Sequence, residues 1–508
     1  MANVPFLLVF LAALGVSSFI TWKIRPVAVR FGFIDLPDTI RRLHSEPTPR
    51  IGGVAIFIAV LCSVAVCAFL GARGLLPERR HFALAIGATA IFALGLVDDR
   101  FGLQPRTKLL AESIVALFVF AAGIRISGIA LPNGFFVLPT WASALITTLW
   151  LVGITNAFNL IDGSDGVAGG AALFASIALA MVLIASGNSY GAMIALSLAG
   201  ATLGFLFFNF PPATIFLGDS GALFLGFTLA SLGVVTTQTA PTALAVAIPV
   251  LSFGLPILDT VLTLIRRFLR GQGLFNADRG HIHHRLRELG HSPRSVALVL
   301  YALCACLSAL SLLLVGSTES MGAVALVIAG VVAWIVVQRL HIPELLELGT
   351  IFGKGLRQRS VIANNIKVRE VALRLERVRS PEDLKTCLQE IMDAGQFVRA
   401  QVSATGKSFF PKDTQGNPSR LDDWVVECGL ESDADLVNCW EIRIPLATPF
   451  ASGGAFLSLW KAFGTDPIML DLRLLFTAVR PPLESALRSM HIQTPEKVPA
   501  RFSILGGR

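Results

Sequence analysis

Long apolar runs follow one another through the first two thirds of the chain, and short polar segments separate them. An α-helix needs roughly 17–25 residues to cross a hydrocarbon layer of about 30 Å. The pattern therefore predicts about eleven transmembrane helices, the third of them short. We expect them near residues 4–22, 51–71, 82–97, 107–123, 139–158, 167–186, 190–208, 221–237, 242–264, 295–315 and 321–338.

The charges beside these runs predict how the chain is oriented. No basic residue precedes the first run, whereas Lys23, Arg25 and Arg30 follow it, which indicates a retained helix with its N-terminus outside rather than a cleaved signal peptide. Later odd-numbered loops are also rich in Arg and Lys, and even-numbered loops are poor in them. We therefore expect the odd-numbered loops in the cytoplasm.

The character of the sequence changes after Arg339, where no run is long enough to span a membrane. Eleven crossings from an outer N-terminus would leave this part in the cytoplasm. We expect a linker at 339–361, a small cytoplasmic α+β domain at 362–495 and a flexible tail at 496–508. The expected elements of the α+β domain are a charged helix, a second helix capped by Ser380, four short segments with β character and a last amphipathic helix.

Composition supports an all-α polytopic membrane protein with this additional α+β domain. Of 508 residues 54% are hydrophobic and 15% are charged, whereas soluble domains carry about 25% charged residues. These values exclude a disordered chain, a collagen-like fibre and a coiled coil. The net charge of +8 lies mainly in the apolar part, where it indicates topology rather than a nucleic-acid partner. The seven cysteines show neither a zinc spacing nor a disulfide framework.

Polar side chains gather where the predicted helices reach the cytoplasmic face. Charged groups at membrane depth are costly, so such residues are functional candidates. All four clusters fall on this one face, which predicts a site there. The clusters are Asp98 and Asp99 at the end of the third run, Asn156, Asn159, Asp162 and Asp165 at the end of the fifth, Asp219 after the seventh, and His281, His283 and His284 after the ninth.

The four polar residues after the fifth run recur every third position, so one turn of helix would align them. Gly163 and Gly166 then permit a tight turn. Amide and carboxylate oxygens suit Mg²⁺ when substrate phosphates complete its ligands. The alternative is a polar helix cap with solvated carboxylates. Asp219 adds a carboxylate on a glycine-flanked turn, and its alternative is an N-cap of the next helix.

The adjacent pair Asp98 and Asp99 diverges by about 100° on a helix. Both cannot face one ion closely, so either they divide two tasks or one is structural. The histidines are flanked by Arg279 and other arginines, which favours phosphate over a metal, and a solvated basic loop is the alternative. Together, carboxylates, histidines and arginines at a membrane face predict phosphoryl transfer between a soluble diphosphate and a lipid.

Six motifs resemble a known family in composition and order. They are GLVDDR at 95–100, TKLLAE at 107–112, NAFNLIDGSDG at 156–166, FLGDSG at 216–221, PILD at 256–259 and HIHH at 281–284. They resemble the polyprenyl-phosphate N-acetylhexosamine-1-phosphate transferases, bacterial membrane enzymes that begin O-antigen, teichoic acid and related glycans. The resemblance covers about residues 20–300, and the segment 49–53 is similar to the family's first cytoplasmic loop.

The resemblance implies transfer of N-acetylhexosamine 1-phosphate from a UDP-sugar to undecaprenyl phosphate in the bacterial inner membrane, with release of UMP. It implies Mg²⁺, or Mn²⁺, as cofactor. The His-x-His-His pattern is closer to this branch than to the related phospho-N-acetylmuramoyl-pentapeptide transferase. The implied metal ligands are Asp219 and Asp98, the implied catalytic residues are Asp98, Asp99, Asn159, Asp162 and Asp165, and the implied substrate-binding residues are Arg50, Lys108, Asn156, His281, His283, His284 and Arg279.

Several alternatives remain open at this point. The lipid phosphate, with a second pKa near 6, is already a dianion, which favours direct in-line attack, but Asp98 or Asp99 as a covalent nucleophile is the alternative. The pentapeptide transferase and a secondary transporter are the rival functions, and a transporter would place its site near the midplane. The segment after 339 resembles GAF-type sensory domains, and its first, charged helix is expected to serve as a solvated arm or a homodimer contact.

Overall fold

The chain forms two compact units, of residues 1–264 with 277–340 and of residues 265–276 with 341–508. A computed structural model describes residues 4–31, 34–35, 48–69, 79–131, 134–239, 243–269, 280–315, 319–339, 359–404, 424–429, 439–447, 455–463, 468 and 470–492. Most of the predicted linker at 339–361, all of the predicted tail at 496–508 and Arg279 lie outside these residues.

From Val4 to Arg339 the described chain is almost entirely helical, with two short antiparallel hairpins. The hairpins pair β1 (Ile34–Asp35) with β2 (Thr48–Pro49) and β3 (Gly128–Leu131) with β4 (Gly134–Val137). The helices are α1 (Val4–Phe31), α2 (Gly52–Phe69), α3 (Arg79–Phe101), α4 (Pro105–Ala121), α5 (Thr140–Ile161), α6 (Val167–Ala185), α7 (Ser189–Asn209), α8 (Gly218–Thr239), α9 (Ala243–Ser252), α10 (Gly254–Leu269), α11 (Ile282–Glu288), α12 (Pro293–Leu313) and α13 (Glu319–Arg339).

These helices make the chain a polytopic membrane protein. Among the described residues, seven helices are long and apolar enough to cross a bilayer, and the bent pair α9–α10 brings the number to eight if it is one span. The run predicted at 242–264 is divided into two helices, because α9 and α10 meet at 78°. Pro249 lacks a backbone donor within α9, and Gly254 begins α10 where a Cβ would lie 2.5 Å from Leu307.

Helix α8 lies at the centre of this unit and is buried along nearly its whole length. It packs against α3 and α5, and glycines allow the backbones to approach closely. A Cβ at Gly95 of α3 would lie 2.5 Å from the Cα of Ser220, and one at Gly226 of α8 would lie 2.8 Å from the Cα of Thr155. The start of α8 is thereby held beside the end of α3.

A short backbone pairing fixes the segment before α2 against the segment before α8. Phe216 N donates to Pro49 O at 2.7 Å, and Gly52 N donates back to Phe216 O at 2.9 Å. A Cβ at Gly53 would lie 2.2 Å from the backbone nitrogen of Gly221, so only glycine fits there. The pairing places Arg50 at the start of α8.

The second unit contains helices on a four-stranded antiparallel sheet of order β6-β5-β8-β7. As the sequence predicts, Ser380 caps a helix, and its Oγ accepts from Asp383 N at 3.2 Å. Buried apolar residues from sheet and helices form one core. The elements are α14 (Arg359–Leu375), α15 (Pro381–Gly395), β5 (Arg399–Ala404), β6 (Trp424–Gly429), β7 (Cys439–Leu446), β8 (Ala455–Ala462), a π-helical turn (Leu475–Val479) and α16 (Arg480–Ile492).

Candidate active site

Asp99, near the end of α3, caps the start of α8. Its Oδ1 accepts from Asp219 N at 2.7 Å and its Oδ2 accepts from Ser220 N at 2.9 Å. The first amides of a helix have no partner within the helix and carry partial positive charge, so a carboxylate satisfies them well. The side chain is 1% exposed. Asp99 therefore fixes the backbone that carries Asp219.

Asp98, its neighbour, bonds to different partners. Its Oδ1 accepts from Leu103 N at 2.7 Å, and its Oδ2 forms an ion pair with Lys108 Nζ at 2.7 Å. The two aspartates thus diverge, as helical geometry predicts. Lys108 also donates to Asn159 Oδ1 at 3.2 Å, which connects α4 to α5.

Asp219 receives one donor on each carboxylate oxygen. Arg50 Nη2 bonds to Oδ2 at 3.0 Å, and Asn159 Nδ2 bonds to Oδ1 at 2.6 Å. Arg50 Nε also lies 3.5 Å from Asp99 Oδ1. A continuous polar network therefore joins the ends of α3 and α5 to the starts of α4 and α8. Its members are Arg50, Asp98, Asp99, Lys108, Asn159 and Asp219.

The expected alignment of four polar residues on one helical face holds only for Asn156 and Asn159. Helix α5 ends at Ile161, and Gly166 adopts a positive φ of 73°, so Asp162 and Asp165 lie in a turn. Asp165 Oδ2 accepts from Ala213 N at 3.0 Å and so ties this turn to the loop after α7.

The carboxylate of Asp162 accepts no hydrogen bond from the residues that the structure describes. Withdrawal from solvent raises its pKa well above the usual range. Arg50 opposes this effect, and the carboxylates of Asp219 and Asp99 add to it. Negative charge therefore collects around Asp162 and Asp219, and a bound cation would offset it.

Asn156 is hydrogen-bonded to a buried acid that the sequence did not single out as a site residue. Its Nδ2 donates to Val152 O at 2.9 Å and to the carboxylate of Glu112, which is 1% exposed. Glu112 stands inside an apolar run and inside the TKLLAE motif. An acid at that depth is itself a signal of function or of a buried partner.

The histidine loop is held by a second missed acid, Asp259 of α10. Its Oδ2 lies 2.7 Å from His281 Nδ1, and its Oδ1 accepts from Ile282 N at 2.7 Å. Asp259 is 2% exposed. The PILD motif contains this residue, but only the tertiary structure shows that it orients His281.

His283 is buried and faces the turn after α5. Its Cε1 and Nε2 lie 3.4 Å from the position of a Cβ on Gly163. Burial lowers the pKa of His283 to about 3, and nearby His284, whose own pKa is lowered, contributes. Nε2 has no hydrogen-bond partner among the described residues. His283 and His284 are thus neutral at pH 7, so the loop offers imidazole hydrogen bonds while charge comes from arginine.

These carboxylates suit a cation that is shared with a phosphorylated substrate. Among the described residues, no group of three or more His, Cys, Asp or Glu side chains is arranged to hold a metal. Mg²⁺ needs only one or two carboxylates when phosphates complete its octahedral ligand set. Asp219, with a side chain 19% exposed, and the half-buried Asp162 provide two carboxylates close enough to interact electrostatically.

A helical membrane bundle with a charged network at one set of helix ends, beside a loop that carries the neutral His283 and His284, defines a polytopic membrane enzyme. Comparison with known proteins specifies the class further. The model of glycosyl transferase family 4 matches residues 81–237.

Relatives from several bacteria match a longer stretch. A probable undecaprenyl-phosphate N-acetylglucosaminyl 1-phosphate transferase of Bacillus subtilis is 37% identical over 58% of this chain and 80% of its own length. The decaprenyl-phosphate N-acetylglucosaminephosphotransferase of Mycobacterium tuberculosis is 34% identical over 58% and 78%. An undecaprenyl-phosphate alpha-N-acetylglucosaminyl 1-phosphate transferase of Thermotoga maritima is 31% identical over 57% and 84%. The chain belongs to the polyprenyl-phosphate N-acetylhexosamine-1-phosphate transferase family.

Proposed function

We propose that the protein transfers N-acetylglucosamine 1-phosphate from UDP-N-acetylglucosamine to undecaprenyl phosphate. The products are a lipid-diphosphate-linked sugar and UMP, as in the first membrane step of a cell-surface glycan. The observation that carries the proposal is the Asp219 network, which lies near the turn after α5 that His283 also approaches. The names of the relatives support both the polyprenyl phosphate and the N-acetylglucosamine.

The rival functions fit these observations less well. The relatives compared above act on N-acetylglucosamine rather than on a muramoyl-pentapeptide. A transporter would place its polar site near the middle of the bilayer. The network here instead occupies the ends of α3 and α5 and the start of α8.

The proposed chemistry is one in-line displacement. An oxygen of the lipid phosphate attacks the sugar-bearing phosphorus, and the bond from that phosphorus to the UMP oxygen breaks, so UMP leaves with the electron pair. Both oxygens of Asp98 and both of Asp99 already accept hydrogen bonds, which favours direct attack over an aspartyl intermediate. Lys108 and Arg50 provide positive charge near the lipid phosphate and the diphosphate.

Carboxylates of the protein would hold the metal, and its histidines would contact the sugar-nucleotide donor. We propose Asp219 and Asp162 as the carboxylates that would hold Mg²⁺ or Mn²⁺, because the Asp219 side chain is 19% exposed and Asp162 accepts no hydrogen bond from the described residues. Asp98 is only 9% exposed and is paired with Lys108. The ion would neutralise charge on the donor diphosphate. The neutral imidazole of His283 would donate to a phosphate oxygen, and Asp259 would keep His281 in place beside it.

The same proposal sets the orientation of the chain. The N-terminus is placed outside the bacterial inner membrane, and the site is placed in the cytoplasm, where UDP-sugars are made. Eleven crossings, with the bent pair α9–α10 as one of them, put residues after 339 in the cytoplasm as an α+β domain. We propose that this domain modulates or recruits, with α14 as a solvated arm or homodimer contact.

Purified full-length protein with UDP-N-acetylglucosamine labelled on the β-phosphate tests the proposal. With undecaprenyl phosphate and Mg²⁺, label should pass into the lipid while UMP forms in equal amount. Asp219→Ala should abolish transfer, whereas Asp393→Asn, at an exposed residue of α15, should leave transfer unchanged. An unlabelled lipid, or full activity of a folded Asp219→Ala protein, would contradict the proposal.

A further inference from the structure

A cavity of about 380 Å³ lies at the end of the bundle opposite the polar network. Helix α8 has 22 residues and is therefore about 33 Å long. Asp219 stands at its start, whereas Thr237 and Gln238, near its end, line the cavity. The other lining residues are Arg80, Gly123, Arg125, Ile126, Ser127, Gly128, Trp150, Gly233, Val234, Val246 and Pro249.

The loop at the mouth of this cavity is held by hydrogen bonds on two sides. Gln238 Nε2 donates to Gly123 O at 2.9 Å and to Arg125 O at 2.8 Å. From α5, Ser143 Oγ donates to Ile126 O at 2.6 Å, and Ile126 N donates to the hydroxyl of a neighbouring threonine at 3.0 Å. The mouth is therefore formed before a ligand arrives, which reduces the entropy lost on binding.

The inner part of the cavity is apolar and reaches towards the middle of the bundle. Trp150 lies midway along α5, and its Nε1 donates to Ala230 O at 3.0 Å. Because the indole N–H is satisfied there, the ring presents an apolar surface to the cavity. Val234, Val246 and Pro249 continue this surface.

The mouth is basic. Arg80, in the first turn of α3, and the exposed Arg125 both line it, and no acidic side chain belongs to the lining among the described residues. A ligand that matches both parts has an anionic head and a hydrocarbon body. The helix ends place such a head at the depth of lipid headgroups and its chains within the hydrocarbon layer.

We propose that this cavity binds an anionic phospholipid, with its phosphate at Arg80 and Arg125 and an acyl chain against Trp150. The volume lies within the range of ligand-binding cavities, about 300–1,000 Å³. The orientation given in the proposed function would place this lipid in the outer leaflet. Binding of the lipid does not depend on the proposed function, so failure of the transferase assay would leave this proposal standing.

Native mass spectrometry of the delipidated full-length protein in detergent tests the proposal. Phosphatidylglycerol should bind more tightly than phosphatidylcholine with the same acyl chains. Removal of one positive charge at a lipid phosphate, in Arg80→Gln or Arg125→Gln, should weaken phosphatidylglycerol binding roughly fivefold. Arg79→Gln is the matched control, because Arg79 is exposed on the same helical turn but does not line the cavity.

A second variant and a second ligand separate the lipid from a free anion. Val246→Trp enlarges a partly exposed side chain on the apolar wall and should weaken lipid binding without loss of charge. Melting temperatures verify that each variant is folded. Equal binding of the two lipids, an equal loss in Arg79→Gln, or inorganic phosphate that binds as tightly as phosphatidylglycerol would each overturn the proposal.

Discussion

Substitution of Asp99 should separate a positioning role from a catalytic one. In Asp99→Ala the backbone N–H groups of Asp219 and Ser220 lose acceptors at 2.7 and 2.9 Å. Loss of a helix cap costs about 0.5–2 kcal/mol of stability. Two lost bonds raise the cost and relief of repulsion from Asp219 lowers it, so we expect a net loss of about 2 kcal/mol. We expect a fall in melting temperature of about 4 °C or less.

The effect on activity should be much larger than the effect on stability. A shift of about 1 Å in a positioned group costs roughly 100-fold in rate, and Asp99 fixes the backbone of Asp219. Asp99→Asn keeps one acceptor oxygen, so it should restore much of the activity lost in Asp99→Ala. Ser380→Ala, which removes the cap of α15, should lower the melting temperature without changing kcat.

Initial rates with the labelled donor and melting curves in the same detergent would provide both measurements. If Asp99→Asn is as inactive as Asp99→Ala while its melting temperature is unchanged, Asp99 takes part in the chemistry and the positioning argument is wrong. A trapped phosphosugar on Asp99 would establish the covalent alternative.

Three further predictions follow from packing, burial and the two units. Gly53→Ala, whose Cβ would lie 2.2 Å from a backbone nitrogen of α8, should cost about 1–3 kcal/mol and most activity, whereas Gly15→Ala, with open space around it, should do neither. The pKa of His283 is lowered to about 3 in the folded protein, so below pH 6.5 the unfolded chain binds a proton that the folded protein does not, and stability falls with pH. His283→Gln should therefore reduce the drop in melting temperature from pH 7 to pH 5, whereas His291→Gln, at an exposed histidine, should not. A chain ending at Gln338 should retain transferase activity in detergent, and its loss despite correct insertion would make the later residues part of the catalytic unit.

The hydropathy pattern was sufficient to predict where polar residues would meet. Apolar runs determine helix ends, and alternate helix ends in a bundle face the same side. Asp98, Asn159 and Asp219, although far apart in sequence, were therefore expected on one face, and hydrogen bonds to Lys108 and between Asn159 and Asp219 bring them together. The strands β5 to β8 likewise fall on the four segments with β character.

The partners of these residues could not be predicted, because they depend on tertiary packing. No sequence signal joins Asp99 to amides 120 residues later, or Asp259 to His281. The spacing of three also misled at Asp165, since glycines end the helix before that residue is reached. A motif shows which groups are present, but it does not show which oxygen remains open to a substrate.

The hydrogen bonds of this site leave only some groups open for chemistry. Asp98 and Asp99 each use both carboxylate oxygens within the protein, and Asp165 bonds to a loop amide. Asp162 accepts no bond from the described residues, and the buried Nε2 of His283 has no partner among them. Buried polar groups normally find partners, so we expect a ligand at the buried Nε2 of His283. The carboxylate of Asp162 would take a cation and the imidazole of His283 an anion, and a metal-bound diphosphate between them satisfies both.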